Sequence, residues 1–190
     1  QIGGRIIREG GLVAFPTETV YGVGALAQST NAVKKIFAAK ERPATNPLQV
    51  HISRLNQLRN IVSCLPAEAE KLMDRFWPGP LSIILPAARQ IPAEVCGGTG
   101  TVALRMPSHP VALALIDEAG PLAATSANLS GRPSPLSADD VKADLDGRIR
   151  AVLNAGRTGS GLESTVLNLC QGSYQVLRRG GIAVEEIEEI

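Results

Sequence analysis

Apolar and polar positions in this chain keep switching between two periods. Over 30–40, Ala32, Val33, Ile36, Phe37 and Ala39 fall on one face at helical spacing, with Ser29 or Thr30 as cap and Pro43 as stop. Over 48–52 the period drops to two: Leu48, Val50 and Ile52 point one way, Gln49 and His51 the other. Segment 101–105 alternates likewise, Val102 and Leu104 against Thr101, Ala103 and Arg105. Short buried strands are predicted at 12–15, stopped by Pro16, at 81–85 and at 122–125. Helices are predicted over 66–76, before the turn Trp77-Pro78-Gly79-Pro80, and over 108–119, with Ser108 as cap and Gly120 as stop. A polar loop fills 126–136. Ser137-Ala138-Asp139-Asp140 then reads as a capping-box start to a helix ending near Gly147. Strands follow at 149–153, 165–169 and 175–178, the last two as a hairpin across Cys170-Gln171-Gly172-Ser173, and 183–190 reads as the start of a further helix.

Strands alternating with helices predict an α/β protein. The closing hairpin makes its sheet mixed rather than wholly parallel. The chain has 190 residues, 44% of them apolar, which suits one domain over 1–190 with a sizeable core. A net charge of +1 gives no bulk electrostatic case for nucleic acid or membrane, though a local basic patch stays open. Cys64, Cys96 and Cys170 lie far apart, with neither metal-ligand nor disulfide-framework spacing, and are read as free thiols. No run reaches transmembrane length and no signal peptide is visible, so a cytoplasmic location is expected. The chain begins at Gln1 rather than Met, as a trimmed N-terminus would.

Several segments carry candidate chemistry. Pro16-Thr17-Glu18-Thr19-Val20-Tyr21-Gly22-Val23-Gly24-Ala25 sets hydroxyls, a carboxylate and glycines directly after a buried strand, where α/β folds place ligands; a turn with capping hydroxyls is the plainer reading. Gly22-x-Gly24-x-x-Ala27 matches a dinucleotide fingerprint but fails on context, because the strand ends at Phe15 and the next helix opens near Thr30. Lys40 and Arg42 at a helix end could complement its dipole or neutralise phosphates, with Asn46 nearby in a proline-stiffened loop. His51 stands on the polar side of its strand, and Arg105 ends another, placed to grip a carboxylate or to serve as an edge charge. His109, before a helix proline, reads as structural. Thr125-Ser126-Ala127-Asn128-Leu129-Ser130-Gly131 packs three hydroxyls and an amide into one loop after a strand, suited to a phosphate. Weaker candidates lie in 161–166 and 177–180. There is no Walker A loop, no Gly-x-Ser-x-Gly elbow and no metal-ligand pair, so ATP, if used, is held outside the standard P-loop, and no protein metal site is expected.

Taken in order, these segments resemble the YrdC-like family of threonylcarbamoyl-AMP synthases. The matching pieces run from Gly10-Gly11-Leu12-Val13-Ala14-Phe15-Pro16-Thr17-Glu18-Thr19-Val20-Tyr21-Gly22 through Lys40-x-Arg42-Pro43-x-x-Asn46-Pro47-Leu48, Val50-His51-Ile52 and Trp77-Pro78-Gly79-Pro80. They continue through Arg105-x-Pro107, Thr125-Ser126-Ala127-Asn128-x-Ser130-Gly131 and Ser164-Thr165-Val166 to Leu177-Arg178. The resemblance implies a twisted open mixed sheet with flanking helices and a large concave cavity. It implies conversion of L-threonine, bicarbonate and ATP to threonylcarbamoyl-AMP and pyrophosphate, for threonylcarbamoyladenosine modification of tRNA.

Carried over position by position, Thr19, His51, Arg105, Thr125 and Ser164 fall near threonine. Arg42, Asn46, Thr101, Ser126, Asn128, Ser130 and Arg178 fall near ATP. Lys40 and Arg42 would be the catalytic cations, working with a Mg²⁺ that accompanies ATP. The chain has Arg179 where the family often has Pro or Glu, which leaves open which arginine faces the nucleotide. No general base is named: Glu18 is a candidate, and a loop-organising role is the alternative. Implied partners are the proteins that pass the threonylcarbamoyl group to tRNA, with tRNA or double-stranded RNA contact open and no membrane. The Lys40–Leu48 motif looks closer to the family's two-domain form, in which a linker and C-terminal domain follow. Two other functions compete: a non-catalytic RNA-binding module using the same basic cavity, and a carbamoyl-transfer domain of hydrogenase maturation. The first is weakened by an aromatic content of only 3%.

Overall fold

The computed structural model describes every residue except Gln171 and Ser173. In chain order the elements are α1 (Ile2–Arg8), β1 (Val13–Pro16), β2 (Tyr21–Leu26), α2 (Thr30–Lys40), β3 (Gln49–His51), a 3₁₀ helix (Leu55–Asn60) and α3 (Ala67–Phe76). There follow β4 (Leu81–Pro86), β5 (Thr101–Arg105), α4 (Pro110–Ala119), β6 (Leu122–Ser126), α5 (Ala138–Leu145), β7 (Ala151–Val152), β8 (Thr165–Asn168), β9 (Gln175–Arg178) and α6 (Val184–Glu188). The described strands join in one sheet, ordered β7-β1-β2-β6-β3-β5-β4-β8-β9. It is mixed: β1/β7, β3/β5 and β4/β8 are parallel, and the other neighbours antiparallel.

Alternation along the strands decides what each face buries. Leu12 and Ala14 enter a large cluster with Ile36 and Phe37 of α2, Leu72 and Met73 of α3, and Val141 and Leu145 of α5. Val13 and Phe15 enter a smaller one with Ile7 of α1, Leu115 and Ile116 of α4, and Leu122 and Ala124 of β6. The same two-residue period sends Val50 and Leu104 into the large cluster and turns Gln49, His51 and Arg105 to the other face. Since β3 and β5 run parallel with His51 opposite Arg105, and β3 meets β6 with Gln49 opposite Ala124, these polar residues share the Ala124 face. That face is covered by α1 and α4 at one end and open at the other.

Most predicted elements are present, with several corrections. Ser29 caps α2, its hydroxyl accepting from the Ala32 N–H at 3.3 Å. The Ser137 capping box opens α5 as expected. The cap of α4 is His109 rather than Ser108: its Nδ1 accepts from the Val111 N–H at 3.2 Å, a structural role as read. The strand predicted at 149–153 shrinks to the two residues of β7. β8 and β9 pair antiparallel as predicted, but Gln171 and Ser173 of their connection lie outside the described residues.

The reading missed α1, the 3₁₀ helix and β2. The segment 16–25, read as a ligand loop or a capped turn, is a hairpin: Thr17–Val20 is a tight turn, with the Thr17 N–H donating to Val20 O at 3.2 Å, and β2 returns along β1. Gly22 and Gly24 hid this strand, since glycine lowers strand propensity. Gly24 is there for space. A Cβ on Gly24 would stand 3.0 Å from the Phe15 ring and 3.3 Å from Ala123 O. The rejected dinucleotide fingerprint stays rejected, because α2 opens only at Thr30.

Candidate active site

The open part of the Ala124 face holds a cavity of about 230 Å³. One wall is the turn between β1 and β2. Thr17 organises it: its hydroxyl donates to Val20 O at 2.6 Å and accepts from the N–H groups of Thr19 and Val20, both at 3.2 Å. The turn thereby presents Glu18 and Thr19 to Arg105 at the end of β5. Arg105 Nη2 pairs with Glu18 Oε1 at 2.5 Å, Nη1 donates to Thr19 Oγ1 at 3.1 Å, and Nε donates to Gly79 O at 3.2 Å. Glu18 Oε2 also accepts from the Ser108 N–H at 3.1 Å. Both Glu18 oxygens are thus engaged, which suits loop organisation rather than proton abstraction. Arg105 is 4% exposed. Burial lowers its pKa, and the Glu18 carboxylate opposes that by charge and hydrogen bonding.

His51 lies beside Arg105 in register. Burial first, and the Arg105 charge second, push its pKa down to about 3, so the ring is neutral at physiological pH. Its Nδ1 is buried without a hydrogen-bond partner among the described residues, and its ring meets Phe15 edge-on at 6.1 Å.

The opposite wall comes from β8 and β9. Arg178 Nε donates to Ser164 O and Nη2 to Ser164 Oγ, both at 3.0 Å, and Nη1 pairs with Glu163. Ser134 donates to the other Glu163 oxygen at 2.8 Å. Behind this wall, Ser82 of β4 bonds Ser164 Oγ at 2.8 Å and donates to Gln49 Oε1 at 3.1 Å.

The third side is the segment after α2. Arg42 donates from Nε to Asn46 O at 3.3 Å and from Nη2 to Pro47 O at 2.9 Å, folding its own loop around itself. Lys40 is 1% exposed, with Nζ donating to the carbonyls of Ser126 and Asn128. Burial and then the Arg42 charge lower its pKa to about 8. The Ser130 N–H returns a bond to Lys40 O at 2.9 Å, so the helix end and the 126–130 loop are stitched together. Asn128 works inside that loop: Nδ2 donates to Leu129 O and Arg132 O, both at 2.8 Å, while its buried Oδ1 has no partner among the described residues.

Eight residues singled out from sequence line this one cavity: Thr19, Arg42, His51, Arg105, Thr125, Ser126, Ser164 and Arg178. Five lie outside the lining. Lys40 and Asn128 are buried beneath the loop, and Ser130 and Asn46 are exposed beside the mouth. Thr101 sits at the far end of β5 from Arg105, bonded to Thr99. Of the adjacent arginines, Arg178 lines the cavity and Arg179 is exposed outside it. Sequence reasoning gave no role to Gln49, Ser82 or Ser134, and named Thr17 and Glu163 only within their candidate segments. Gln49 had a usable signal, standing two residues before His51 on the same side of an alternating strand; Ser82 had none, since its partners come from distant segments.

Among the described residues no group of three or more His, Cys, Asp or Glu stands ready for a metal, and Glu163 in the cavity lining and Glu18 beside it already hold arginines. Among the described residues no helix is long and apolar enough to cross a membrane.

Comparison with known proteins sharpens these observations. The family model named for Sua5, YciO and YrdC, described as telomere recombination, matches residues 5–180. A Bacillus subtilis relative called threonylcarbamoyl-AMP synthase is 54% identical over 97% of this chain and 54% of its own length. The crystal structure of Pyrococcus abyssi Sua5 complexed with L-threonine superposes with a TM-score of 0.97 at 52% identity, covering 99% of this chain and 56% of that one. Escherichia coli YciO superposes at 0.88 with 25% identity, over 98% and 91% of the two chains. The chain spans about half the length of the first curated relatives it matches.

Proposed function

This chain belongs to the Sua5/YciO/YrdC family, and from that premise we propose that it acts as a threonylcarbamoyl-AMP synthase, residues 1–190 serving as one catalytic unit. The overall reaction joins L-threonine, bicarbonate and ATP into threonylcarbamoyl-AMP, releasing pyrophosphate and water. The carrying observation is the polarity of the cavity. A buried guanidinium, a neutral imidazole and three hydroxyls surround its inner end, and Arg42 and Arg178 stand at its outer end. Relatives named for this activity, and a family structure with threonine bound, support the reading.

In this reading Arg105 receives the threonine carboxylate through the N–H donors that Glu18, Thr19 and Gly79 leave free. His51, Thr19, Thr125 and Ser164 surround the remainder of the amino acid. The amine adds to bicarbonate with loss of water. A carbamate oxygen then attacks the α-phosphorus, and pyrophosphate departs with the bonding pair. No protein nucleophile is required, so positioning and charge do the catalysis. Arg42 and Arg178 pair with phosphate oxygens. Lys40 offsets phosphate charge from beneath the 126–130 loop, and Ser126, Asn128, Ser130, Asn46 and Thr101 make up the nucleotide side. A Mg²⁺ brought in with ATP would join Lys40 and Arg42 in offsetting phosphate charge. The product then passes to proteins that transfer the threonylcarbamoyl group to tRNA, which sets the reaction in the cytoplasm.

Pyrophosphate release measured with each substrate omitted in turn tests the proposal. Release that requires both threonine and bicarbonate is expected. RNA binding without such release, or release driven by carbamoyl phosphate in place of threonine, overturns it.

A further inference from the structure

The hydroxyl groups lining the inner end of the cavity are not free to choose their hydrogen-bonding sense. A hydroxyl has one proton and two lone pairs, so a proton committed elsewhere leaves only an acceptor. The Thr17 proton is committed to a backbone carbonyl, Val20 O, at 2.6 Å. In the 2.8 Å contact between Thr17 and Thr19, therefore, Thr19 is the donor, and its proton shares the Thr17 lone pairs with the longer contacts from the Thr19 and Val20 N–H groups, both at 3.2 Å. Arg105 Nη1, which can only donate, occupies one Thr19 lone pair at 3.1 Å. What Thr19 has left for the cavity is a single lone pair.

Across the cavity the same device is built from different elements. Ser82, fully buried, donates to Gln49 Oε1 at 3.1 Å, so in its 2.8 Å contact with Ser164 the proton is that of Ser164. Arg178 Nη2 donates to Ser164 Oγ at 3.0 Å. Ser164, like Thr19, faces the cavity with one acceptor position.

We propose that Thr17, in the cavity wall, and Ser82, behind it, are positioning residues that fix the proton direction of Thr19 and Ser164, making the inner end of the cavity a reader of N–H donors. This rests on the reading of the cavity as a threonine site. It adds that the amino nitrogen is recognised by acceptors while the carboxylate goes to arginine. An α-amino acid fits that arrangement. An analogue with a hydroxyl in place of the amine brings one proton instead of up to three, and no positive charge. Neither Thr17 nor Ser82 needs to touch the substrate for this to hold.

The test measures binding of L-threonine and of 2,3-dihydroxybutanoate, the analogue with a hydroxyl in place of the amine, by calorimetry on this chain and on Thr17→Val, Thr17→Ser and Ser82→Ala. Thr17→Val removes the acceptor for the Thr19 proton, and Ser82→Ala does the same for Ser164, so each freed hydroxyl can turn into the cavity as a donor. The preference for threonine over the analogue is expected to fall about tenfold in both variants, the scale of one charge-assisted hydrogen bond. Thr17→Ser keeps the hydroxyl and is expected to keep the preference. Should Thr17→Val fail to fold, Ser82→Ala carries the test, since it removes one oxygen from a strand. Equal weakening of both ligands in Ser82→Ala, or loss of preference in Thr17→Ser, overturns the positioning role and leaves the threonine site standing. Absence of threonine binding to the unaltered chain overturns the site itself, and the positioning role with it.

Discussion

At the inner end of the cavity Arg105 is 5% exposed in its side chain and its partner Glu18 22%, whereas at the outer end Arg178 and Glu163 are 39% and 36% exposed. The inner pair is supported on every side: Glu18 takes a backbone N–H, and Arg105 reaches Thr19 and Gly79. The outer pair leans on Ser134 and Ser164 and otherwise meets solvent. A buried ion pair is costly to form and far costlier to break, because the survivor stays buried without a partner. A half-exposed pair is worth little, and salt screens it. The difference suits a small amino acid held with high selectivity at one end and a large polyanion, captured and released, at the other. Four substitutions test that contrast.

The largest effect is expected from Arg105→Ala. Removing the guanidinium strands Glu18 and takes away the carboxylate partner, so threonine binding weakens by about 2–4 kcal/mol, as for truncating a desolvated charge pair. ATP binding, decided at the other end, changes far less. Calorimetry with each ligand separates the two, and unchanged threonine affinity removes Arg105 from its role.

Next is His51, which ties the inner end to pH. Its pKa falls from 6.5 to about 3 on folding. Between those values the unfolded chain binds a proton that the folded chain refuses, so this contribution to stability is present above pH 6.5 and is lost as the pH falls toward 3. The slope is about 1.4 kcal/mol per pH unit. Urea melts from pH 7 to pH 4 should show a steeper acid decline in the unaltered protein than in His51→Gln. Parallel curves would place the proton elsewhere.

At the outer end Arg178→Ala is expected to weaken ATP by only about 1 kcal/mol, since the group is half in solvent. That loss should shrink as salt rises from low to physiological strength, while the Arg105→Ala loss should persist. Titrating ATP at two ionic strengths checks it. Equal salt sensitivity at the two ends would erase the contrast.

The sequence was most legible where a local period governs. The alternation at 48–52 put His51 and Gln49 opposite the apolar set, and the structure turns both to the cavity face. Arg105 ends a strand that reads the same way. Legibility failed where the deciding contact is distant. Gly24 looked like a loop glycine because the ring of Phe15 that crowds its Cβ position cannot be seen from its neighbours. Lys40 looked like a cation presented at a helix end. It is instead bent onto the Ser126 and Asn128 carbonyls, more than eighty residues along the chain. The polar chain from Gln49 through Ser82 to Ser164 joins two strands and the residue just before a third, and has no local signature at all.

The smallest effect concerns Glu163, and it has the opposite sign. This carboxylate is the anionic group that Arg178 holds at the outer end, and its charge also raises the pKa of Lys40, Arg42 and Arg105 against the burial that lowers them. A triphosphate entering the same cationic surroundings competes with it for Arg178. Glu163→Gln keeps the shape and the hydrogen bond from Ser134 but removes the competing charge. ATP binding should therefore tighten, by less than about 1 kcal/mol because the pair is half exposed. Threonine affinity should stay put, since Arg105 keeps Glu18. The gain should fade with added salt, as the pair it removes would have been screened anyway. Weaker ATP binding in Glu163→Gln would mean that the carboxylate orients Arg178 for the nucleotide rather than competing with it. The outer end would then be as firmly preset as the inner one.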